Sequence, residues 1–303
     1  MADSKADIQQ FWGALYKSLY TEVDSGLTQP DLLAAIDDLE DMFRLRDHGA
    51  VVEMPIAELT GKQVLEIGCG AGGHSVLFAR KGAIMTSVDV TPQRAAATQA
   101  KYDLLAGMID PGCKAMQGDA EALPFPDASF DIVYSNGVLH HTHDTERAIA
   151  EVYRVLKPGG QAVIMLYCKD SWHYWINMVL CVGLVQGKLF RSKNWLGHAT
   201  EWGGRDQQCV DNPVTRCYSA GEMRGLFSAF QLHSLRKAEF YFYLIPKLGR
   251  LYRRWQIRHY GVHPGGRLVY GEPWPIQSPL ELALGKIMGW AWYAKATKPG
   301  TES

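Results

Sequence analysis

Val64-Leu65-Glu66-Ile67-Gly68-Cys69-Gly70-Ala71-Gly72-Gly73 runs from an apolar segment straight into a cluster of glycines. A short apolar run closed by glycine reads as a buried strand, here over 63–67. The glycines behind it read as a tight turn, and residues 73–81 as a helix that stops at Gly82. Glycine allows such a turn, and with no Cβ it lets a ligand approach the backbone closely. The spacing Gly68-x-Gly70-x-x-Gly73 satisfies the dinucleotide fingerprint, so on its own it does not distinguish one nucleoside cofactor from another. It is also compatible with a turn that binds nothing.

The same alternation continues outward from this stretch. Strands are expected at 84–89, 114–117, 130–135 and 161–167. Helices are expected at 92–105, opened by Pro92, and at 144–156, closed by Lys157-Pro-Gly-Gly. Strands that alternate with helices imply a parallel, doubly wound α/β sheet, because parallel strands need crossover connections. Asp89 falls at the carboxyl end of the second strand, where a carboxylate can accept both hydroxyls of a ribose. Capping of the helix behind Pro92 is the structural alternative, and Thr91 suits that role better.

Two amphipathic helices precede the core. One, over 8–20, carries Phe11, Trp12, Tyr16 and Tyr20; the other spans 30–48 and stops at Gly49. Their aromatic residues suit either a lid over a bound cofactor or plain core packing. After Tyr167 the alternation lapses. An aromatic-rich helical segment covers 171–189, followed by a glycine-containing loop. Ser219 and Glu222 form a capping box for a helix over 220–230. A strand over 232–243, a long departure over 244–288 and a last strand over 289–296 complete the chain. The expected organisation is a helical extension (1–58), a cofactor core (59–168), an insertion that caps the substrate (169–218), and a C-terminal part of the core (219–303) interrupted at 244–288.

Composition narrows the function classes. The 303 residues include 31 basic and 32 acidic side chains, a net charge of −1, so no global field draws the chain onto nucleic acid. The N-terminus lacks the apolar core of a signal peptide, and a cytoplasmic location is expected. The longest apolar stretch, 175–185, is broken by Asn177 and too short to span a bilayer. Six scattered cysteines without a Cys-x-x-Cys pair read as free thiols.

Further motifs choose between cofactors. They are Gly118-Asp-Ala-Glu-Ala-Leu-Pro-Phe125, Phe130-Asp-Ile-Val-Tyr-Ser-Asn136 and Arg154-Val-Leu-Lys-Pro-Gly-Gly160, in that order behind the glycine turn. With them, residues 60–167 resemble the class I S-adenosylmethionine-dependent methyltransferases, specifically the type 11 group that includes ubiquinone and menaquinone biosynthesis enzymes. The resemblance implies a Rossmann-like, doubly wound seven-stranded sheet with an antiparallel last strand. It also implies roles by position. Glu66 and the backbone of Gly68 and Gly70 would hold the methionine end of S-adenosylmethionine, and Asp89 the ribose. Asp119 would accept from the adenine amino group beside the Ala120 backbone, and Asn136 would sit near the sulfonium. The implied reaction is direct methyl transfer to a small-molecule acceptor such as a quinone, a lipid-linked compound or a secondary metabolite. A non-catalytic S-adenosylmethionine-binding protein of the same fold is the alternative, and a nicotinamide oxidoreductase would not carry the later motifs.

Other clusters bear on the acceptor. In Leu139-His-His-Thr-His143, a catalytic reading makes His140, His141 or His143 a general base, and a structural reading packs them beneath the cofactor. No metal is expected, because adjacent histidines diverge on a helix. Acceptor-pocket walls are expected under the insertions and the N-terminal helices, at Tyr16, Tyr20, Trp172, Tyr174, Trp202 and Tyr218. Between Leu244 and Leu268 lie Lys247, Arg250, Arg253, Arg254, Arg258 and Arg267 with no acidic residue. That stretch is either a solvated basic face or a contact with an acidic substrate or an anionic membrane surface.

Overall fold

The structure, a computed structural model, describes residues 5–191, 194–197, 212–245 and 248–300. Trp202, Lys247 and Cys209 lie outside the described residues. Among the described residues, seven strands form the main sheet: β1 (Gln63–Ile67), β2 (Ile84–Asp89), β3 (Lys114–Gln117), β4 (Phe130–Asn136), β5 (Leu156–Tyr167), β6 (Gln231–Ala238) and β9 (Ala291–Thr297). Two short strands, β7 (Val262–His263) and β8 (Trp274–Pro275), form a separate ribbon. The main sheet has the order β3-β2-β1-β4-β5-β9-β6. Strands β1 to β5 pair in parallel, and β9 runs antiparallel to both β5 and β6. From β1 the chain steps to β2 and β3 on one side, then crosses to β4 and β5 on the other. The crevice at the carboxyl ends of β1 and β4 is therefore the topological switch point, where sheets of this kind bind ligands.

Seven described helices pack around this sheet up to β5: α1 (Lys5–Leu19), α2 (Thr21–Asp24), α3 (Gln29–Leu45), α4 (Gly49–Val52), α5 (Gly73–Arg80), α6 (Pro92–Leu104) and α7 (Thr145–Val155). In α7, Asp144 caps the N-terminus by accepting from the Arg147 amide, and Ala148, Ile149, Val152 and Val155 form the apolar stripe that packs on the sheet. In α3, a Thr28/Asp31 capping box and Pro30 start the helix, and Leu32, Ile36, Leu39, Met42 and Phe43 are buried against β1 and α5.

Several boundaries differ from the sequence reading. Helix α3 ends at Leu45, and Gly49 opens α4 instead of ending its predecessor. His48 caps α4 through Nδ1, 3.1 Å from the Ala50 amide. Gly49 is required because a Cβ there would lie 2.2 Å from the Tyr293 ring. Lys157-Pro-Gly-Gly lies inside β5 and does not close a helix. Leu156 already pairs with Phe130, and the register shifts before Ile132 pairs with Gln161. Gly159, with φ +76°, takes up this bulge. Strand β6 stops at Ala238 because Glu239, at φ +67°, turns the chain away.

The first insertion contains a wide-turned π-helix, His173–Val185, within the helical segment expected over 171–189. The second contains the helix Gly249–Tyr260, the ribbon β7–β8 and the helix Pro279–Met288. It folds back onto the N-terminal unit: a Cβ on Gly265 would lie 2.3 Å from the Asp38 carbonyl oxygen of α3.

Candidate active site

A cavity of about 650 Å³ opens at the switch point. Its floor is the glycine turn after β1. Gly68 and Gly70 have φ of +78° and +55°, and the Gly68 and Cys69 amides donate to the Val88 carbonyl at 2.7 and 3.1 Å. A Cβ on Gly68 would fall 2.3 Å from Val138, so this position tolerates only glycine. A Cβ on Gly70 would meet nothing closer than Arg94 Nη1 at 3.8 Å, because Gly70 faces the open cavity.

Three polar groups project into this space from strand ends. Asp89, at the end of β2, is buried. Its Oδ2 accepts from the Gly70 amide at 3.1 Å, and its Oδ1 accepts from the Thr91 amide and hydroxyl at 2.9 Å each. One carboxylate thus ties the glycine turn to the start of α6. Asp119, after β3, accepts from the Glu121 amide at 2.9 Å through Oδ1 and from the Lys5 ammonium through Oδ2. Asn136, at the end of β4, lines the cavity with a buried Oδ1 that has no partner. Ala120, beside Asp119, also lines it.

Glu66 lies deeper, behind the lining. Ser75 Oγ donates to its Oε2, and its Oε1 is 3.9 Å from Nδ1 of His74, which does line the cavity. Burial pushes the Glu66 carboxyl up to about 8, and the nearby Asp89 charge adds to the rise.

The two histidines separate. His141 lines the cavity. Its Nδ1 lies 2.8 Å from the Val214 carbonyl and 3.1 Å from Nδ2 of Asn212. Burial lowers its pKa to about 4. His140 is fully buried behind it, packed against Tyr167 with centroids 3.8 Å apart and the rings tilted by 37°, and does not line the cavity. His143 lines the rim. Among the described residues no group of three or more His, Cys, Asp or Glu is arranged to hold a metal ion.

The roof comes from both ends of the chain. Trp12 of α1 packs on His141 at 5.1 Å, and the Arg94 guanidinium lies 5.1 Å from the Trp12 ring centroid. Tyr20 lines the cavity and donates to the Val269 carbonyl at 2.5 Å, joining the N-terminal helices to the second insertion. Tyr16 is set back from it, stacked on Tyr20 and bonded to Asp24 at 2.8 Å. The remaining wall includes Tyr243, just before the second insertion, and Tyr270, Glu272 and Trp274 within it. Behind it sits the buried Arg46 guanidinium, which donates to the Tyr270 hydroxyl at 2.9 Å and lies 5.3 Å from the Trp274 ring. His74 also faces the cavity, with a buried Nε2 that has no partner. Burial and the Arg46 charge lower its pKa to about 3.

The aromatic residues expected from the first insertion are elsewhere. Trp172 packs on Phe240, Tyr174 on Trp175, and Tyr218 lies along β5, bonded through its backbone to Tyr167. None of the three lines the cavity, and Trp202 lies outside the described residues. Residues 268–274 and His74 were missed because their signal is in the fold. Nothing local to 268–274 marks which side meets Tyr20 and Arg46, more than two hundred residues away.

Known proteins share this architecture. A family model described as a methyltransferase domain matches residues 65–164, the segment from β1 into β5. Malonyl-[acyl-carrier protein] O-methyltransferase of Erwinia billingiae is 37% identical over 113 residues, covering 37% of this chain and 42% of that enzyme. Phthiotriol/phenolphthiotriol dimycocerosates methyltransferase 1 of Mycobacterium ulcerans is 40% identical over 105 residues, covering 34% and 36%. The match spans less than half the length of either relative. Among solved structures, the [4+2]-cyclase SpnF superposes with a TM-score of 0.53 at 17% identity over 99% of this chain and 98% of its own, a likeness of fold.

Proposed function

We propose that this chain, whose residues 65–164 match the family model of a methyltransferase domain, transfers a methyl group from S-adenosylmethionine to a small amphipathic or anionic acceptor. The observation that carries the reading is the convergence of Gly68, Gly70, Asp89, Asp119 and Asn136 on one cavity at the switch point. The residues present suit this cofactor. Gly70 leaves room beside its backbone, Asp89 offers a fixed carboxylate for a ribose, and Asp119 already engages a nitrogen donor. Asn136, whose buried Oδ1 has no partner, lines the same space. When bound, the cofactor supplies an electrophilic methyl group on a sulfonium whose leaving group departs neutral.

The protein's task is then mainly alignment and exclusion of water. Trp12 and Tyr20 close the cavity from the N-terminal side, and Tyr243, with Tyr270 and Trp274 of the second insertion, closes it from the other. The acceptor is assigned to the space between them, beside His141 and His74. Burial holds both histidines neutral, so neither places a fixed positive charge beside the sulfonium. The relatives named for malonyl-[acyl-carrier protein] and for phthiotriol/phenolphthiotriol dimycocerosates support acceptors of anionic and of lipid type, respectively. Within the basic stretch, Arg250, Arg254 and Arg258 are exposed, and a peripheral contact with an anionic surface would use them.

The test is release of S-adenosylhomocysteine when the purified chain and S-adenosylmethionine are incubated with fractionated small-molecule and lipid extracts, followed by mass spectrometry. The expected result is stoichiometric methylation of one fraction that is lost in Asp89→Ala. Tight cofactor binding with no product from any fraction would instead favour the non-catalytic alternative.

A further inference from the structure

Charge is segregated along this chain. About one residue in ten is acidic overall, yet no Asp or Glu occurs from Ser171 to Thr200 or from Leu244 to Gly271. These two carboxylate-free stretches are adjacent in the fold. The buried Asn177 of the π-helix donates from Nδ2 to the Leu244 carbonyl at 2.6 Å. Phe240, Phe242 and Tyr252 continue the contact as an edge-to-face series with centroids about 5 Å apart.

Both stretches expose apolar side chains to solvent. On the helix Gly249–Tyr260, Leu248, Leu251 and Trp255 are spaced to form one stripe, with Leu251 63% and Trp255 49% exposed. Arg250, Arg254 and Arg258, spaced four apart, form a parallel exposed ridge beside it. The opposite side of the helix holds the cavity cover: Arg253 pairs with Glu272 at 3.2 Å and lies over the Tyr243 ring. On the neighbouring insertion Trp175, Leu184, Val185 and Phe190 are exposed, Val185 and Phe190 by more than three quarters, with Lys188 and Arg191 among them.

An apolar stripe of Leu and Trp flanked by arginines is the composition of a helix that lies in a lipid headgroup region. A second copy of the chain is a poor occupant, because a symmetric contact would bring two arginine ridges together with no carboxylate between them. No described helix is long and apolar enough to cross a bilayer, so contact would be with its surface. We propose that this composite face, the stripe and ridge of the helix Gly249–Tyr260 together with the exposed side chains of 175–190, docks on an anionic bilayer surface. The helix would then lie between the bilayer surface and the cavity cover, and the acceptor would be a lipid-resident amphiphile. That last step rests on the methyl-transfer reading; the docking itself does not.

The experiment is co-sedimentation of the full chain, without cofactor, with phosphatidylcholine vesicles that contain either no anionic lipid or about 30% phosphatidylglycerol. Binding only to the anionic vesicles, weakened by salt, is expected. Replacing Arg250, Arg254 and Arg258 together with Gln should weaken it roughly a hundredfold, at about fivefold per arginine. Leu251→Glu with Trp255→Glu should also abolish it. Unchanged circular dichroism and unchanged S-adenosylhomocysteine affinity in both variants show that the fold is intact. Failure of the wild-type chain to bind anionic vesicles would overturn the proposal, as would undiminished binding in either variant. So would a solution dimer that the Leu251→Glu, Trp255→Glu variant dissociates. Vesicle binding without any methyl transfer would leave the docking surface standing and remove only the enzymatic reading.

Discussion

Asp89 carries more of the site than any other side chain, because it fixes the glycine turn and faces the cavity at once. Asp89→Ala removes the carboxylate assigned to the ribose and frees the Gly70 amide. Calorimetry should show cofactor affinity at least about a hundredfold weaker, the scale of two lost charge-assisted hydrogen bonds. Gly68→Ala acts differently. Its φ of +78° and the crowding by Val138 should destabilise the fold by about 2–4 kcal/mol in urea titration, whether or not cofactor is present. His141 has a proposed role that depends on its being neutral. With its pKa held near 4, the rate of methyl transfer should show no step near pH 6.5 that is traceable to this residue. A step at that pH which disappears in His141→Gln would count against the assignment.

Helix α1 and the junction with α2 close the cavity through contacts that include Lys5 on Asp119 and Glu121, Trp12 on His141, and Tyr20 on the Val269 carbonyl. Removing residues 1–25 should leave the sheet folded, since β1 to β9 close their core without it. Cofactor should then dissociate at least about tenfold faster in stopped-flow measurements, because the roof excludes water. An unchanged off-rate would show that these helices only pack. Elements also show what the sequence makes legible. Strands β1 to β4 are readable because short apolar runs end in glycine, Asp89 or Asn136, and the intervening periodicity is helical. The start of β5 is hidden by Lys157-Pro-Gly-Gly, whose glycines look like a terminator but serve a bulge. The cavity walls at Tyr243, Tyr270 and Trp274 are not legible, because an aromatic facing a cavity has the same local spacing as one facing the core. Only the pairing of the α1–α2 junction and the end of α3 with the second insertion, at Tyr20–Val269 and Arg46–Tyr270, distinguishes them. The first insertion attracted the acceptor assignment for the same reason: its aromatic residues are numerous, but the described ones lie outside the cavity.

The whole molecule buries an unusual set of neutral imidazoles. Burial holds His74 near 3, His141 and His173 near 4, and His48 and His140 well below the ordinary histidine range. Their folded pKa values are depressed, so below about pH 6.5 the unfolded chain takes up protons that the folded chain cannot. Stability is therefore present above that pH and is lost as pH falls from 6.5 toward 4, by up to about 1.4 kcal/mol per histidine per pH unit. Glu66 works in the opposite direction. Its carboxyl is raised to about 8, so stability declines as pH rises from its ordinary range toward that value. The thermal midpoint should thus fall by about 10 °C or more between pH 7 and pH 5; a midpoint that holds or rises over that interval would contradict this burial. At the same scale, the central claim is that the crevice between β1 and β4 is an S-adenosylmethionine site. Its most direct test is a calorimetric titration of the intact chain with S-adenosylhomocysteine and, separately, with NAD. The expected result is saturable one-to-one binding of S-adenosylhomocysteine that Asp89→Ala abolishes, and no heat from NAD. Binding of NAD in its place, or S-adenosylhomocysteine affinity indifferent to Asp89→Ala, would contradict the claim.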